Sequence, residues 1–217
     1  MREHPLLMQG PLVRATLAGR KTQTRRPVKM PSHGIEPYSP GYVYGALWNY
    51  SFTEVIARCP MGQAGDRLWV RETYKWADAK DDGVNQSVVV AYRADDKASD
   101  IECSLAVHDG VVCAIESEEV CGERWRPSIH MPRWACRLVL PLVSVRVERV
   151  QDITEDDARA EGLRRTENGW TDGATGYDVT SARAAFQELW ASIYGEASWD
   201  ANPWVWVAEW DHAEVSK

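Results

Sequence analysis

The sequence has no apolar run long enough to cross a membrane, and no short apolar segment follows its N-terminal charges as in a signal peptide. We therefore expect a cytoplasmic protein with no membrane partner. Its 217 residues suit a single domain over residues 1–217, and its apolar and charged fractions are ordinary for a globular chain. No internal repeat or linker interrupts it, and we expect a monomer.

Cysteine spacings typical of metal sites are also missing. None of the five cysteines forms a C-x-x-C pair or has a histidine at zinc-ligand spacing: Cys59, Cys103, Cys113, Cys121 and Cys136. Three of them and His130 would have to be gathered by the fold, and nothing in the local sequence requires that. We expect reduced, buried thiols, with no metal and no organic cofactor.

Acidic residues are missing from Pro11 to Ile35, although the chain has a net charge of −7. Six basic residues share this stretch: Arg14, Arg20, Lys21, Arg25, Arg26 and Lys29. A cationic region on an anionic body fits a small or single-nucleotide ligand better than a long duplex, whose binding proteins are usually basic overall. Phenylalanine is scarce, with two against eleven tryptophans, and tryptophan offers flat faces that stack on bases.

The spacing of apolar residues predicts short helices and longer strands. Gly10 and Pro11 open a helix that Gly19 ends, so that Arg20–Arg26 is expected to form a tight cationic turn. Further helices are predicted from Thr154, which starts a capping-box pattern, to Gly162, and over Ser181–Tyr194, which is amphipathic. The predicted strands are 67–72, 87–92, 111–115, 136–150 and 204–210, and 30–49 reads as a loop. These elements predict an α+β fold with a mainly antiparallel sheet or barrel.

Lys21 and Thr24 are candidates for a base and a nucleophile. A threonine hydroxyl attacks only when a base takes its proton, and a lysine serves as that base when its amine is neutral. Burial and the neighbouring arginines would lower the pKa of Lys21 in that direction. Three residues of separation in a tight turn would let the two side chains meet. The alternative is that this basic run is a solvated turn.

Glu161 is predicted at the end of the helix that starts at Thr154, just before Gly162. The negative end of a helix dipole disfavours an ionised carboxylate, which suits a group that protonates a leaving amine. The alternative is an exposed glutamate at a helix end.

Two further segments carry candidate binding residues. Glu72 ends a predicted strand beside Tyr74 and Trp76, and such a carboxylate can accept from an exocyclic amine while an aromatic ring stacks on the base. The alternative is a strand-end charge beside core aromatics. The Trp125–Trp134 segment gathers two tryptophans, two arginines and His130 around two prolines. It can line a pocket or serve as a packed connection.

With these residues named, the chain resembles the ASCH superfamily, which has a PUA-like β-barrel, here with short flanking helices. It is most similar to the bacterial ASCH amidohydrolases that cleave N4-acetylcytidine, whose motif GRKTxTxR matches Gly19–Arg26. The family's glutamate helix resembles Ile153–Glu161, and its closing strand resembles Trp204–Trp210. Insertions are expected at about 30–62, 77–125 and 164–180. The segments 65–72 and 127–132 resemble longer phage-type members.

The resemblance implies that Lys21 is the base, Thr24 the nucleophile and Glu161 the acid/base in removal of an N4-acyl group from cytidine or cytosine. Residues expected to bind the substrate are Arg26, Trp69, Glu72, Tyr74 and His130. Two alternatives stay open: an RNA-binding or ribonuclease-linked module, and a phage accessory protein that binds a modified base without cleaving it. The hydrolase hypothesis requires Lys21, Thr24 and Glu161 to point into one pocket.

Overall fold

A computed structural model describes residues 1–28, 52–81, 86–95, 97–102, 124–171 and 178–215. The strands in these ranges are β1 Glu3–Leu7, β2 Gln23–Pro27, β3 Arg67–Arg71, β4 Tyr74–Asp81, β5 Gln86–Tyr92, β6 Lys97–Glu102, β7 Leu138–Arg149, β8 Arg164–Arg165, β9 Trp170–Thr171, β10 Trp204–Trp210 and β11 Glu214–Val215. The α-helices are α1 Gly10–Leu17, α2 Phe52–Ala57, α3 Glu155–Ala160, α4 Ala182–Tyr194 and α5 Ala197–Asp200. Short 3-10 helices cover Ser128–His130, Arg133–Ala135 and Val150–Asp152.

The strands form one large sheet and two small ones. The large sheet has the order β1-β3-β7-β10-β2, and β11 also pairs with β7. The small sheets have the orders β4-β5-β6 and β8-β9. Together with the short helices, this arrangement confirms the α+β class expected from the sequence.

The chain divides into two compact units. Unit 1 comprises 1–4, 15–68 and 141–212, and unit 2 comprises 5–14, 69–140 and 213–217. The division falls within strands β1, β3 and β7. In unit 1, strand β10 is buried along most of its length because it has a neighbour on each side, β7 and β2. In unit 2, β4 and β5 pack Tyr74, Val88, Val90 and Tyr92 into one core.

The antiparallel register of β2, β10 and β7 gives this part of the sheet two different faces. Arg25 pairs with Val207, which pairs with Arg146. Directly paired residues point to the same face, and neighbours along a strand point to opposite faces. One face therefore carries Gln23, Arg25, Glu209, Ser144, Arg146 and Glu148. The opposite face carries Thr24, Ala208, Val145, Trp206 and Val147.

Several local expectations are confirmed. Helix α1 ends at Leu17, and Gly19 has the left-handed φ of 70° expected of a helix-ending glycine. Thr154 caps α3 in a capping box with Asp157, and Ser181 caps α4. The strands predicted at 67–72, 87–92, 136–150 and 204–210 correspond to β3, β5, β7 and β10.

Other expectations are corrected. Arg20–Arg26 is not a tight turn throughout, because Gln23–Pro27 forms strand β2 along β10. Strand β10 is not the last, since β11 follows it. The sequence patterns also missed β1, β4, β6, β8, β9, α2 and α5, of which β8 and β9 lie in the segment between Gly162 and Thr180 that was expected to be a loop. The predicted strand 111–115 and loop 30–49 lie outside the described residues. Among the described helices, none is long and apolar enough to span a membrane.

Candidate functional site

Lys21 is held where the end of α1 meets the end of α3. The backbone N–H groups of Arg20 and Lys21 both donate to Ala15 O, which completes the turn after α1. Lys21 then forms an isolated antiparallel bridge with Glu161, and Thr22 N donates to Ala160 O at 2.8 Å. The motif segment is therefore fixed against the C-terminal end of α3 by its backbone.

The Lys21 amine is completely surrounded by acceptors. Nζ donates to Glu161 Oε2 at 2.6 Å, to Glu161 O at 3.0 Å and to Gln23 O at 2.7 Å. The relative exposure of the Lys21 side chain is 1% and that of Glu161 is 4%. An ammonium has three protons to donate, so these three acceptors satisfy it fully. At 2.6 Å, a proton can pass between Nζ and Oε2 without movement of either residue.

Burial lowers the pKa of Lys21 below its ordinary value of 10.5. The charges of Arg26 and Arg25 act in the same direction, whereas the carboxylate of Glu161 opposes it. A lysine whose pKa is lowered by burial is nearer to the neutral form that general-base chemistry requires. The same environment also fits a buried structural ion pair, so the pair by itself does not decide between catalysis and stability.

Arg25 connects Glu161 to two more carboxylates. Its Nη1 lies 3.1 Å from Glu161 Oε1, and its Nε donates to Glu148 Oε1 at 3.0 Å. Its Nη2 lies 3.5 Å from Asp157 Oδ2. Burial tends to raise the pKa of Asp157, but hydrogen bonds from Thr154 and Gln23 and the Arg25 charge leave it lowered.

Arg146 extends these contacts toward solvent. It contacts Glu148 at 3.0 Å, Asp157 at 3.1 Å and also Glu209. Its side chain is 34% exposed, in contrast to the buried end at Lys21. We call the whole set the ion cluster: Lys21, Arg25, Arg146, Glu148, Asp157, Glu161 and Glu209. With every group ionised it has three positive and four negative charges, so Lys21 and Arg25 of the cationic motif are neutralised locally.

Thr24 and Arg26 point away from the ion cluster. Gln23 and Arg25 both bond residues on the α3 side of β2, so the residue between them, Thr24, points to the opposite face. There it is paired with Ala208 and is 4% exposed. Arg26 has the same parity, and its Nη1 donates to Tyr194 Oη at 3.3 Å. The expected meeting of Lys21 and Thr24 is not observed, because a strand replaces the predicted turn. Of the three residues that the hydrolase hypothesis requires to point into one pocket, only Lys21 and Glu161 meet.

The other expected binding residues lie in unit 2, whereas the ion cluster lies in unit 1. Both carboxylate oxygens of Glu72 accept from Arg137 at 2.9 Å, so this buried glutamate has a structural partner in place of a base amine. Tyr74 is buried, and its Oη donates to His130 O at 3.0 Å. The His130 side chain is exposed, and Trp69 is half-buried.

The sequence reasoning missed the role of Gln23, Arg25 and Asp157. Alternation from Lys21 through Gln23 to Arg25 was available as a signal, since all three lie at odd positions of the motif. It was overlooked because the segment was assigned to a turn. The carboxylates at 148 and 209 reach the cluster only through the sheet register, which no local pattern reveals.

The described cysteines are free thiols, and the described residues offer no metal site. Cys59 and Cys136 are free and buried, and the other three cysteines fall outside the described ranges. Within those ranges no group of histidine, cysteine and carboxylate side chains is arranged to hold a metal ion.

Comparison with known proteins identified no relative of this chain. No protein-family model, no curated protein and no solved structure matches the chain.

Proposed function

We propose that the chain is a PUA-like ASCH amidohydrolase that removes the N4-acyl group from an N4-acylated cytidine or cytosine. The observation that supports this most is the buried contact between Lys21 Nζ and Glu161 Oε2. These are the two proton-transferring residues that the motif resemblance implies, and they meet across 140 residues of sequence.

The chemistry needs one proton acceptor and one proton donor. The acceptor takes the proton of the attacking hydroxyl, whose oxygen adds to the acyl carbon. The bond between that carbon and N4 then breaks, and the donor supplies a proton to N4. Lys21 in its neutral form is the proposed acceptor, and Glu161 the donor. Water completes the balance, giving cytidine and a carboxylic acid. Arg26 would hold the oxyanion or base carbonyl only after reaching the face of β2 on which Arg25 lies, since it now points to the opposite face and donates to Tyr194 Oη.

The attacking hydroxyl belongs to Thr24 or to a water molecule. Thr24 would have to reach the face of β2 on which Arg25 lies, whereas a water molecule would have to displace one of the three acceptors around Lys21 Nζ. The threonine route passes through an acyl ester on Thr24, and the water route forms no covalent intermediate. Neither route needs a metal or organic cofactor.

The first test measures release of cytidine from N4-acetylcytidine. Lys21→Met and Glu161→Gln should each lower kcat/KM by about 100-fold or more, because general acid–base groups typically contribute that much. Glu148→Gln is the matched control, since Glu148 bonds Arg25 and Arg146 rather than the Lys21–Glu161 pair. It should keep most of the activity while losing comparable stability. Equal loss in all three variants, tracking their unfolding, would assign the pair a structural role.

Thr24→Val then decides between the two nucleophiles, because valine keeps the shape and removes the hydroxyl. Loss of turnover in a folded variant, with an acyl-enzyme trapped in the parent protein, identifies threonine. Retained turnover identifies water. A parent protein that hydrolyses none of a panel of N4-acylated cytosines and cytidines would refute the proposal.

A further inference from the structure

The Trp125–Trp134 segment of unit 2 is anchored at both ends. Tyr74 and Arg126 exchange backbone hydrogen bonds, at 3.3 Å and 2.7 Å. Tyrosine hydroxyls hold the two 3-10 helices that follow, through Tyr74 Oη to His130 O and Tyr92 Oη to Ala135 O, each at 3.0 Å. The side chains of this segment are therefore presented by a rigid backbone.

Tryptophans and arginines alternate across this segment and strand β3. The Trp69 ring has the guanidinium carbons of Arg71 at 5.3 Å and Arg133 at 6.0 Å from its centroid. Trp76 lies between Arg126, at 5.4 Å, and Trp134, whose ring is nearly parallel to it at 5.1 Å. Lys75 lies 5.2 Å from the Trp125 ring. We call the partly exposed members the Trp–Arg surface: Trp69, Arg71, Trp125, Arg126, Arg133 and Trp134.

Two cations of this surface act on the same tyrosine. Burial raises the pKa of Tyr74, and the charges of Arg126 and Arg71 both oppose that rise. Arg71 Nη2 donates to Ile129 O, while its buried Nε has no hydrogen-bond partner among the described residues. The carboxylates of Glu72 and Asp95 are bonded to Arg137, and so they do not neutralise this surface through a direct ion pair. None of the six residues is acidic.

We propose that the Trp–Arg surface binds single-stranded nucleic acid, with its arginines on the phosphates and Trp69, Trp125 and Trp134 stacking on bases. Aromatic faces interleaved with cations are the usual means of binding single strands, and guanidinium groups already lying on rings are oriented for both contacts. Because its backbone is bonded to Tyr74, Arg126 loses little backbone freedom on binding. This proposal does not rest on the amidohydrolase function.

The test is anisotropy of fluorescein-labelled 12-mers of oligouridine and oligothymidine, titrated at several NaCl concentrations. Both strands should bind, more weakly as salt rises. Arg71→Gln/Arg126→Gln should reduce the slope of log K against log [NaCl] by about 1.4, since each phosphate contact on a single strand contributes about 0.7. The matched control Arg164→Gln/Arg165→Gln removes two exposed charges from unit 1 and should leave both affinity and slope unchanged.

Two more variants separate the contribution of base stacking, and the effect of a folding defect, from the contribution of charge to binding. Trp69→Leu keeps apolar packing but should weaken binding about tenfold by removing a stacking face. Arg71→Lys/Arg126→Lys should keep the salt slope while lowering affinity, so a folding defect in the glutamine variant does not prevent a decision.

Three results would overturn the inference: no binding of either strand, preferential binding of a duplex or of anionic lipid vesicles, or a loss in the unit 1 control equal to that in Arg71→Gln/Arg126→Gln. The two proposals fail separately. Lys21→Met should still bind the 12-mers, and Arg71→Gln/Arg126→Gln should still hydrolyse a free nucleoside if the parent protein does.

Discussion

At the scale of single residues, Gly162 determines how closely Lys21 and Glu161 approach. It follows Glu161 directly and has a φ of 99°, which side chains disfavour. A Cβ there would lie 2.9 Å from both Lys21 Cβ and Ala15 Cβ. Only glycine therefore fits between the end of α3 and the motif segment.

Gly162→Ala should lower the free energy of unfolding by more than a left-handed backbone alone explains. Gly19 is the matched control, because its φ is 70° and a Cβ there would have no heavy atom within 4 Å. Gly19→Ala should cost about 1 kcal/mol, and Gly162→Ala about 1–3 kcal/mol more because of overpacking. Urea denaturation of the two variants measures the difference, and equal losses would contradict the close packing at Lys21.

At the scale of elements, a side chain from the start of α3, Glu155, caps the start of α4. It lies in the first turn of α3, and its carboxylate accepts from the first backbone N–H groups of α4, Ala182 N at 3.0 Å and Arg183 N at 3.2 Å. Ser181 Oγ accepts from Ala184 N at 3.1 Å. The start of α4 is thus capped by its own serine and by a charge from another helix.

Glu155→Ala should destabilise the protein by about 1–2 kcal/mol, since it leaves two N–H groups of α4 without their acceptor. Asp156→Ala removes a carboxylate from the same first turn of α3, but Asp156 is 90% exposed and bonds only Arg159 among the described residues. That control should cost a few tenths of a kcal/mol. Hydrogen exchange should show lost protection at the start of α4 in Glu155→Ala alone, and an equal effect of both variants would argue against the cap.

Local signals were enough to predict α1, α3 and α4, because the Thr154 cap, the stop at Gly19 and the apolar side of Ser181–Tyr194 all lie within a few turns of chain. They failed at β2, where Gln23–Pro27 becomes a strand through pairing with β10, nearly 180 residues later in the sequence. The partnership of Lys21 with Glu161 followed from the family resemblance. The opposite direction of Thr24 did not, because strand parity appears only once the segment is known to be a strand.

At the scale of the whole molecule, the acid stability of both units depends on carboxylates that are held ionised. Burial tends to raise the pKa of Asp95 in unit 2, but hydrogen bonds and charge from Arg137 leave it lowered. The same balance lowers the pKa of Asp157 in unit 1. A lowered folded-state pKa means that the unfolded chain binds more protons in acid, so this stabilisation is present above the ordinary value of 3.8 and is lost as pH falls through the folded pKa.

The free energy of unfolding should therefore fall as pH decreases below about 4. Asp157→Asn and Asp95→Asn should each flatten this acid limb, because asparagine has no proton to gain. Asp156→Asn, at an exposed position, should reduce stability little and leave the limb parallel to that of the parent protein. Thermal unfolding between pH 3 and pH 7 measures how steeply stability falls with pH in each variant. The same steepness in all variants would show that these carboxylates do not cause the loss of stability in acid.

The two faces of β2 also constrain which sequence changes this segment can accept during evolution. Exchange of one side chain, such as Gln23 for another polar residue, alters one contact of the ion cluster. Gain or loss of a single residue between Lys21 and Arg25 would instead turn the Arg25 guanidinium toward the apolar surface around Ala208 and Val145 and bring Thr24 or Arg26 against the carboxylates. Lineages carrying this segment should therefore tolerate replacements within it but keep its length.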